Sequence, residues 1–167
     1  VCGLGLPSTP IQRIALLRIQ SRAQLGRGAF DAAAASFRKM GELTGGRVAT
    51  PDLAPYAQAL YATRRETQGR KLLEIALGLP EPPLEAVILF ARHEAERDPK
   101  RAEEVVTKAL AANPHHPALL EEAASFDLAA GRDEQAKARL AAAIAASPGF
   151  APLNVTLARV QLQTGDP

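Results

Sequence analysis

A three-residue pattern of small and apolar side chains returns four times along this chain with its spacing nearly intact. Ala136, Leu140 and Ala143 are followed by Pro148, and Ala102, Val106 and Ala109 by Pro114, each element 34 residues earlier. Gly69, Leu73 and Ala76, then Ala33, Phe37 and Met40, continue the series at steps of 33 and 36. Spacings of four and then three residues place each trio on one face of a helix. A period of this size demands stacked supersecondary units rather than one closed globule, because each unit buries its apolar face only against its neighbours.

Start and stop signals divide the chain into helix pairs. Thr9 caps a first helix with Pro10 at its opening position, where a missing N–H costs nothing. That helix runs to about Leu25, and a second from Ala29 to Leu43. The third is expected from Asp52 to Arg65, with Pro55 tolerated only in its first turn. Glu66 to Leu77 form the fourth, weakened by Gly69, and Pro83 to Arg97 the fifth. Asp98 caps the sixth, Pro99 to Ala112. Pro117 to Ala130 and Asp133 to Ser147 give the seventh and eighth, and Ala151 to Thr164 a ninth without a partner. The expected repeats are 10–43, 50–80, 83–114, 117–148 and a partial 151–167, in a single domain spanning 1–167. No segment alternates with the period of a strand. A small residue also recurs on the first helix of each pair, at Ser21, Ala57, Ala124 and Ala158, so that paired helices interlock at short separation.

These features resemble the tetratricopeptide repeat family. The stretch from Ala129 through Gly131, Arg132 and Asp133 to Ala136 is similar to that family's turn into its second helix, and Ala143 and Pro148 match its closing small residue and terminal proline. The third pair departs, with Phe90 at a small position and Arg97-Asp98-Pro99 in place of a glycine turn; the second departs with Gly69. The resemblance implies an all-α, right-handed α-solenoid of stacked antiparallel helix pairs, about four repeats plus an unpaired terminal helix. It implies protein binding and no reaction.

Charge and composition exclude several other classes. Twenty basic against eighteen acidic residues leave a net charge of +2. Spread over every helix, that is not the concentrated basic stripe that nucleic acid requires, so no nucleic-acid partner is expected. Hydrophobic residues make up 47% of the chain but aromatics only 4%, which fits Ala-rich helices that approach closely. No apolar run reaches the length of a membrane span. Cys2 is the single cysteine, so no internal disulfide forms and the compartment, periplasmic or cytoplasmic, is open. The first ten residues carry no signal peptide. Leu4-Gly5-Leu6-Pro7 with Pro10 repeats Leu77-Gly78-Leu79-Pro80 with Pro83, and Gly165-Asp166 is a turn into a further helix. The chain therefore reads as a segment of a longer repeat protein.

Chemical motifs are incomplete. His93-Glu94 opens a metalloprotease-like pattern, but Arg97 stands where the second histidine would be. Ser36 and Lys39 have the spacing of serine acylases without the companion motifs. His115-His116 lack Cys or an acidic cluster, Asn154-Val155-Thr156 opens a helix, and Gly3-x-Gly5 and Gly45-Gly46 lack the strand-then-helix setting of a phosphate loop. No catalytic, cofactor or metal residues are assigned, and no enzymatic activity is expected.

By resemblance, first helices line a concave groove that takes a peptide or helix. Its expected exposed residues are Arg18, Arg22, Gln58, Tyr61, Val87, Glu94, Glu121, Leu128 and Arg159, with Ala54, Ala91, Ser125, Val155 and Leu162 beside them. The Lys and Asn of a carboxylate clamp are missing, with Leu84 and Ile88 at its later positions. The groove therefore suits an amphipathic helix or an extended apolar segment. Arg outnumbers Lys fifteen to five, the usage of a GC-rich bacterial genome, which directs the expectation to a bacterial assembly or envelope/export system. The alternative is a regulatory or targeting repeat segment of a longer enzyme. Self-association is expected through Leu153, Leu157 and Val160 of the last helix.

Overall fold

The computed structural model describes residues 9–149, 155–158, 160 and 161. In chain order the helices are α1 (Pro10–Gly26), α2 (Phe30–Leu43), α3 (Thr50–Ala62), α4 (Glu66–Leu77), α5 (Leu84–Glu94), α6 (Pro99–Ala112), α7 (Pro117–Ala129) and α8 (Asp133–Ala146). Residues 155–158, 160 and 161 are also helical, and the described residues contain no strand. The chain divides into two compact units, Val1–Ala86 and Val87–Pro167.

In the first unit α1 pairs with α2 and α3 with α4, while α2 and α1 both touch α3. Thr9 and Gln12 cap α1 reciprocally, each side chain bonding the other's backbone N–H at 3.2 Å, which satisfies two donors at the helix start. The core gathers Ala33, Ala34, Phe37, Met40, Ala59 and Leu60, with Ile14, Leu17, Leu25, Tyr56 and Leu72 against it. Phe37 stacks on Tyr56 with ring centroids 5.3 Å apart. Each fully buried Leu or Phe of such a core contributes about 1.5–3 kcal/mol.

In the second unit α7 pairs with α8, and α6 packs on α7. Phe90, Val106, Leu119 and Leu140 are fully enclosed. The bulk of Phe90 at a small-residue position is absorbed in the core, and the Arg101 guanidinium lies 5.3 Å from its ring centroid, a cation–π contact. Asp98 caps α6 by accepting from the Arg101 N–H at 3.1 Å.

Nearly every trio residue is buried, which explains the spacing physically: two helices approach there and leave no room for a longer side chain. Ala109 is the exception, because its larger neighbour Leu110 takes the inward place. Ala158 is exposed rather than packed; Thr156 and Val160 are the buried residues of that stretch. Of the residues expected to drive self-association, Val160 is enclosed and Leu157 half-buried. Leu153, Cys2, Asn154 and the two terminal motifs lie outside the described residues.

Two helix boundaries correct the expectation. α3 begins at Thr50, so Pro55 lies inside it rather than in its first turn. α5 ends at Glu94, three residues short of Arg97, with Ala91's carbonyl accepting the Ala95 N–H in a closing turn. Three of the turns between paired helices use one left-handed residue. Gly28 (φ 72°) and Gly131 (φ 70°) supply it, and Arg64 (φ 59°) takes the same place between α3 and α4.

Candidate functional site

The groove residues expected on α1 are instead the joint between α1 and α3. Arg18 forks onto Asp52, Nε to Oδ1 at 2.9 Å and Nη2 to Oδ2 at 2.8 Å. Asp52 is 3% exposed, so its charge is held out of water and matched by a planar, bidentate partner. That hydrogen bond raises the Arg18 pKa, against the opposing effect of burial. Arg22 donates from Nη2 to the Pro51 carbonyl at 2.8 Å. Both guanidiniums are thus committed to α3.

On α3, Gln58 is exposed as expected, but Ala54 is buried. Tyr61 is half-buried over α4. A Cβ on Gly69 would lie 2.9 Å from Tyr61 Cδ2 and Cε2 and 3.2 Å from the Ala57 carbonyl oxygen. Gly69 is therefore not a weakness of α4 alone; it makes room for the Tyr61 ring.

On α5, Val87, Ala91 and Glu94 are buried, and the helix shows Arg92 and His93 to solvent instead. Arg92 Nε donates to Glu122 Oε1 on α7. Burial pushes the Glu122 carboxyl above its ordinary value, and Arg92 opposes the shift.

On α7, Glu121, Ser125 and Leu128 are all half-buried and form one row at helical spacing. Thr156 Oγ1 lies 3.3 Å from Glu121 Oε1. Arg159 and Leu162 lie outside the described residues, while Val155 is 72% exposed. Behind this row, Asp127 is 2% exposed and receives two guanidiniums, Arg132 Nε at 2.8 Å and Arg139 Nε at 2.6 Å. Arg132 also reaches Glu103 on α6; its pKa is raised, first by the bond to Asp127.

The joints were invisible to motif searching, but they leave a signal. Arg18 with Asp52 and Asp31 with Arg65 are opposite charges 34 residues apart, one repeat period. Equivalent places on successive repeats lie side by side, so such pairs meet. Of the incomplete motifs, Ser36 donates to Gln24 Oε1 at 2.9 Å, a bond within the helix pair. No group of three or more His, Cys, Asp or Glu among the described residues could hold a metal ion. None of the described helices is long and apolar enough to cross a membrane.

Paired helices at a 33–36-residue step, with small residues at most crossings and a left-handed turn between the partners of three pairs, define a helical-repeat scaffold. Residues 94–146 match the tetratricopeptide repeat family model, and that stretch carries the repeat. Among solved structures it resembles the crystal structure of MamA protein, with a TM-score of 0.68 and 15% identity over 93% of this chain and 84% of that one. MamA 41-end from Desulfovibrio magneticus RS-1 gives a TM-score of 0.70 at 15% identity, covering 92% and 86%. The human IFIT1 dimer with m7Gppp-AAAA gives 0.70 at 16% identity, covering 95% of this chain and 40% of that one. At these identities the likeness is one of fold. No curated protein sequence matches the chain.

Proposed function

We propose that this chain is a protein-interaction scaffold whose α7 row of Glu121, Ser125 and Leu128 takes an apolar segment of a partner. The observation that carries this is the row itself: three partly exposed side chains on one helix face, small at the centre, apolar at one end and acidic at the other. Such a surface accepts a Leu or Ile side chain over Ser125 and Leu128, and a basic side chain opposite Glu121. Arg18 and Arg22 are engaged with Asp52 and Pro51, which supports the reading without a carboxylate clamp. Glu121 on the row supports a protein rather than a nucleic-acid partner. The place in a bacterial assembly or envelope system rests on the Arg-rich composition and is part of the same proposal.

Titration calorimetry with an amphipathic helical peptide, Leu at one face and Lys along its edge, tests the row. Binding in the micromolar range is expected, weakened at least tenfold by Leu128→Asp. Absence of binding, or binding indifferent to Leu128→Asp, overturns the reading. A single-stranded RNA titrated in parallel that binds more tightly than the peptide overturns it as well.

A further inference from the structure

α5 continues the α7 row, one residue away from where the sequence pattern places it. Ala91, next to Phe90, is fully buried and stands 34 residues after Ala57 and 33 before Ala124, so it supplies the small side chain of that helix. Glu121, Ser125 and Leu128 lie three before, one after and four after Ala124; the same steps from Ala91 reach Ile88, Arg92 and Ala95. Ile88 and Ala95 are half-buried and Arg92 is exposed, whereas Val87 and Glu94, one residue off, are buried. Val155 stands 34 residues after Glu121 and is also exposed. Equivalent places on successive repeats lie side by side, so Ile88, Glu121 and Val155 form a line that crosses the helices. α7 is held from both sides, by Arg92 of α5 and by Thr156, and its row stays open between them.

Charge and spacing together narrow the occupant of this line. Asp52, Glu122 and Asp127 are buried carboxylates, and each is met by a guanidinium. Glu121 is half-buried, and among the described residues its one partner is the Thr156 hydroxyl. A carboxylate partly withdrawn from water without a counter-charge gains from a cation brought by a partner. Alongside the line, Arg92 gives only its Nε to Glu122 and keeps 56% of its side chain exposed. The Ser125 hydroxyl makes no hydrogen bond among the described residues. Both are donors open to a backbone carbonyl from outside.

Packed helices stand about 8–10 Å apart. A polyproline II segment has three residues per turn and advances about 3.1 Å per residue, so every third side chain faces the same way about 9 Å further on. Its carbonyls have no internal partners and are free for Arg92 and Ser125, whereas a helix satisfies its own. A strand turns its third side chain to the opposite face. Resting on the reading of the α7 row as a partner surface, we infer that the segment it takes is a polyproline II stretch crossing α5 and α7. Its Lys or Arg sits over Glu121, with an apolar side chain three residues to either side, over Ile88 and Val155.

The probe is a proline-rich peptide with Leu, Lys and Leu at every third place, titrated into the full chain. It is expected to bind at least tenfold more tightly than a peptide with the same three residues at every second place, and to lose at least tenfold when Gln replaces Lys. Glu121→Lys should lose the Lys peptide and gain a peptide with Glu in its place; a misfolded variant could not produce that gain. Equal binding of the two spacings, or a Glu121→Lys variant without the exchanged preference, overturns the inference. A helical peptide that binds through Leu128 more tightly than the proline-rich one also overturns it, and leaves the α7 reading standing. Failure of both peptides to bind overturns both.

Discussion

Arg22 on α1 donates to the carbonyl of Pro51 on α3, at 2.8 Å. In a regular helix that carbonyl would accept the N–H of residue 55, but residue 55 is Pro and has none. The guanidinium of a neighbouring helix thus satisfies an acceptor that the sequence of α3 leaves open, and it explains how a proline is carried inside a helix of thirteen residues. Arg22→Ala is expected to cost about 1.5 kcal/mol, at the low end for a charged hydrogen bond because Arg22 is exposed. In a Pro55→Ala background the helix supplies its own N–H, and the cost of Arg22→Ala should fall to near zero. Denaturant unfolding of the four proteins measures the coupling; equal costs in both backgrounds would reject the account.

A second relationship concerns how each helix finds its partner. Three residues beyond the equivalent points on the first and second helices of a pair, the chain places Gln24 with Ser36, Leu60 with Leu72, and Asp127 with Arg139. Gln24 and Ser36 join by a hydrogen bond, Leu72 packs against the core that holds Leu60, and Arg139 pairs with the buried Asp127. Mismatched helices would leave a buried group unpaired, so the three chemistries keep each pair in register. Arg132→Ala with Arg139→Ala strands the buried Asp127 and should cost about 3–5 kcal/mol. Asp127→Leu with Arg139→Leu, copying the second pair, should cost far less. Thermal melts rank the two, and the opposite order would refute the pairing.

Gly69 and Tyr61 show the same principle in shape. Replacing Gly by Ala inside a helix ordinarily stabilises by about 1 kcal/mol. Here the added methyl meets the Tyr61 ring, so Gly69→Ala is expected to stabilise little or to destabilise. With Tyr61→Leu, which reproduces the Leu128 and Ala136 combination of the fourth pair, the same substitution should recover its gain. A difference of about 1 kcal/mol between the two backgrounds is the expected coupling.

The sequence announced the packing because packing is what the repeat constrains: Ala33, Ala102 and Ala136 are fully buried where the period put them. The helix starts with a proline and a cap, such as Thr9-Pro10 and Asp98-Pro99, were legible for the same local reason. The side of each first helix that faces its neighbour was not. A 3.6-residue period says that Val87, Ala91 and Glu94 share a face, but not whether that face is wet, and all three are buried. Arg18 and Arg22 read as groove cations because their acceptors lie one repeat away, and one of these is a backbone carbonyl that no side-chain pattern encodes. The start of α3 was misplaced because a proline inside a helix is penalised locally, and its compensation comes from another helix.

Glu122 gives the fold a pH dependence of definite sign. Its folded pKa lies above the ordinary carboxyl value of 4.5, because burial on α7 disfavours the charge more than Arg92 favours it, with Glu121 adding to the rise. The folded chain therefore holds the proton more tightly than the unfolded one. The stability this confers is fully present below the unfolded value and is lost as pH rises through the folded one. Glu122→Gln removes the titration, and it leaves Arg92 without its carboxylate at little cost, because that side chain is 56% exposed. The variant should match the wild type at about pH 4 and be the more stable of the two at about pH 7. Arg92→Ala should have the opposite effect, deepening the loss at neutral pH, since the one opposing charge is gone. Chemical denaturation at the two pH values tests both. A Glu122→Gln variant that is less stable at neutral pH would show that the ion pair outweighs the burial of its carboxylate.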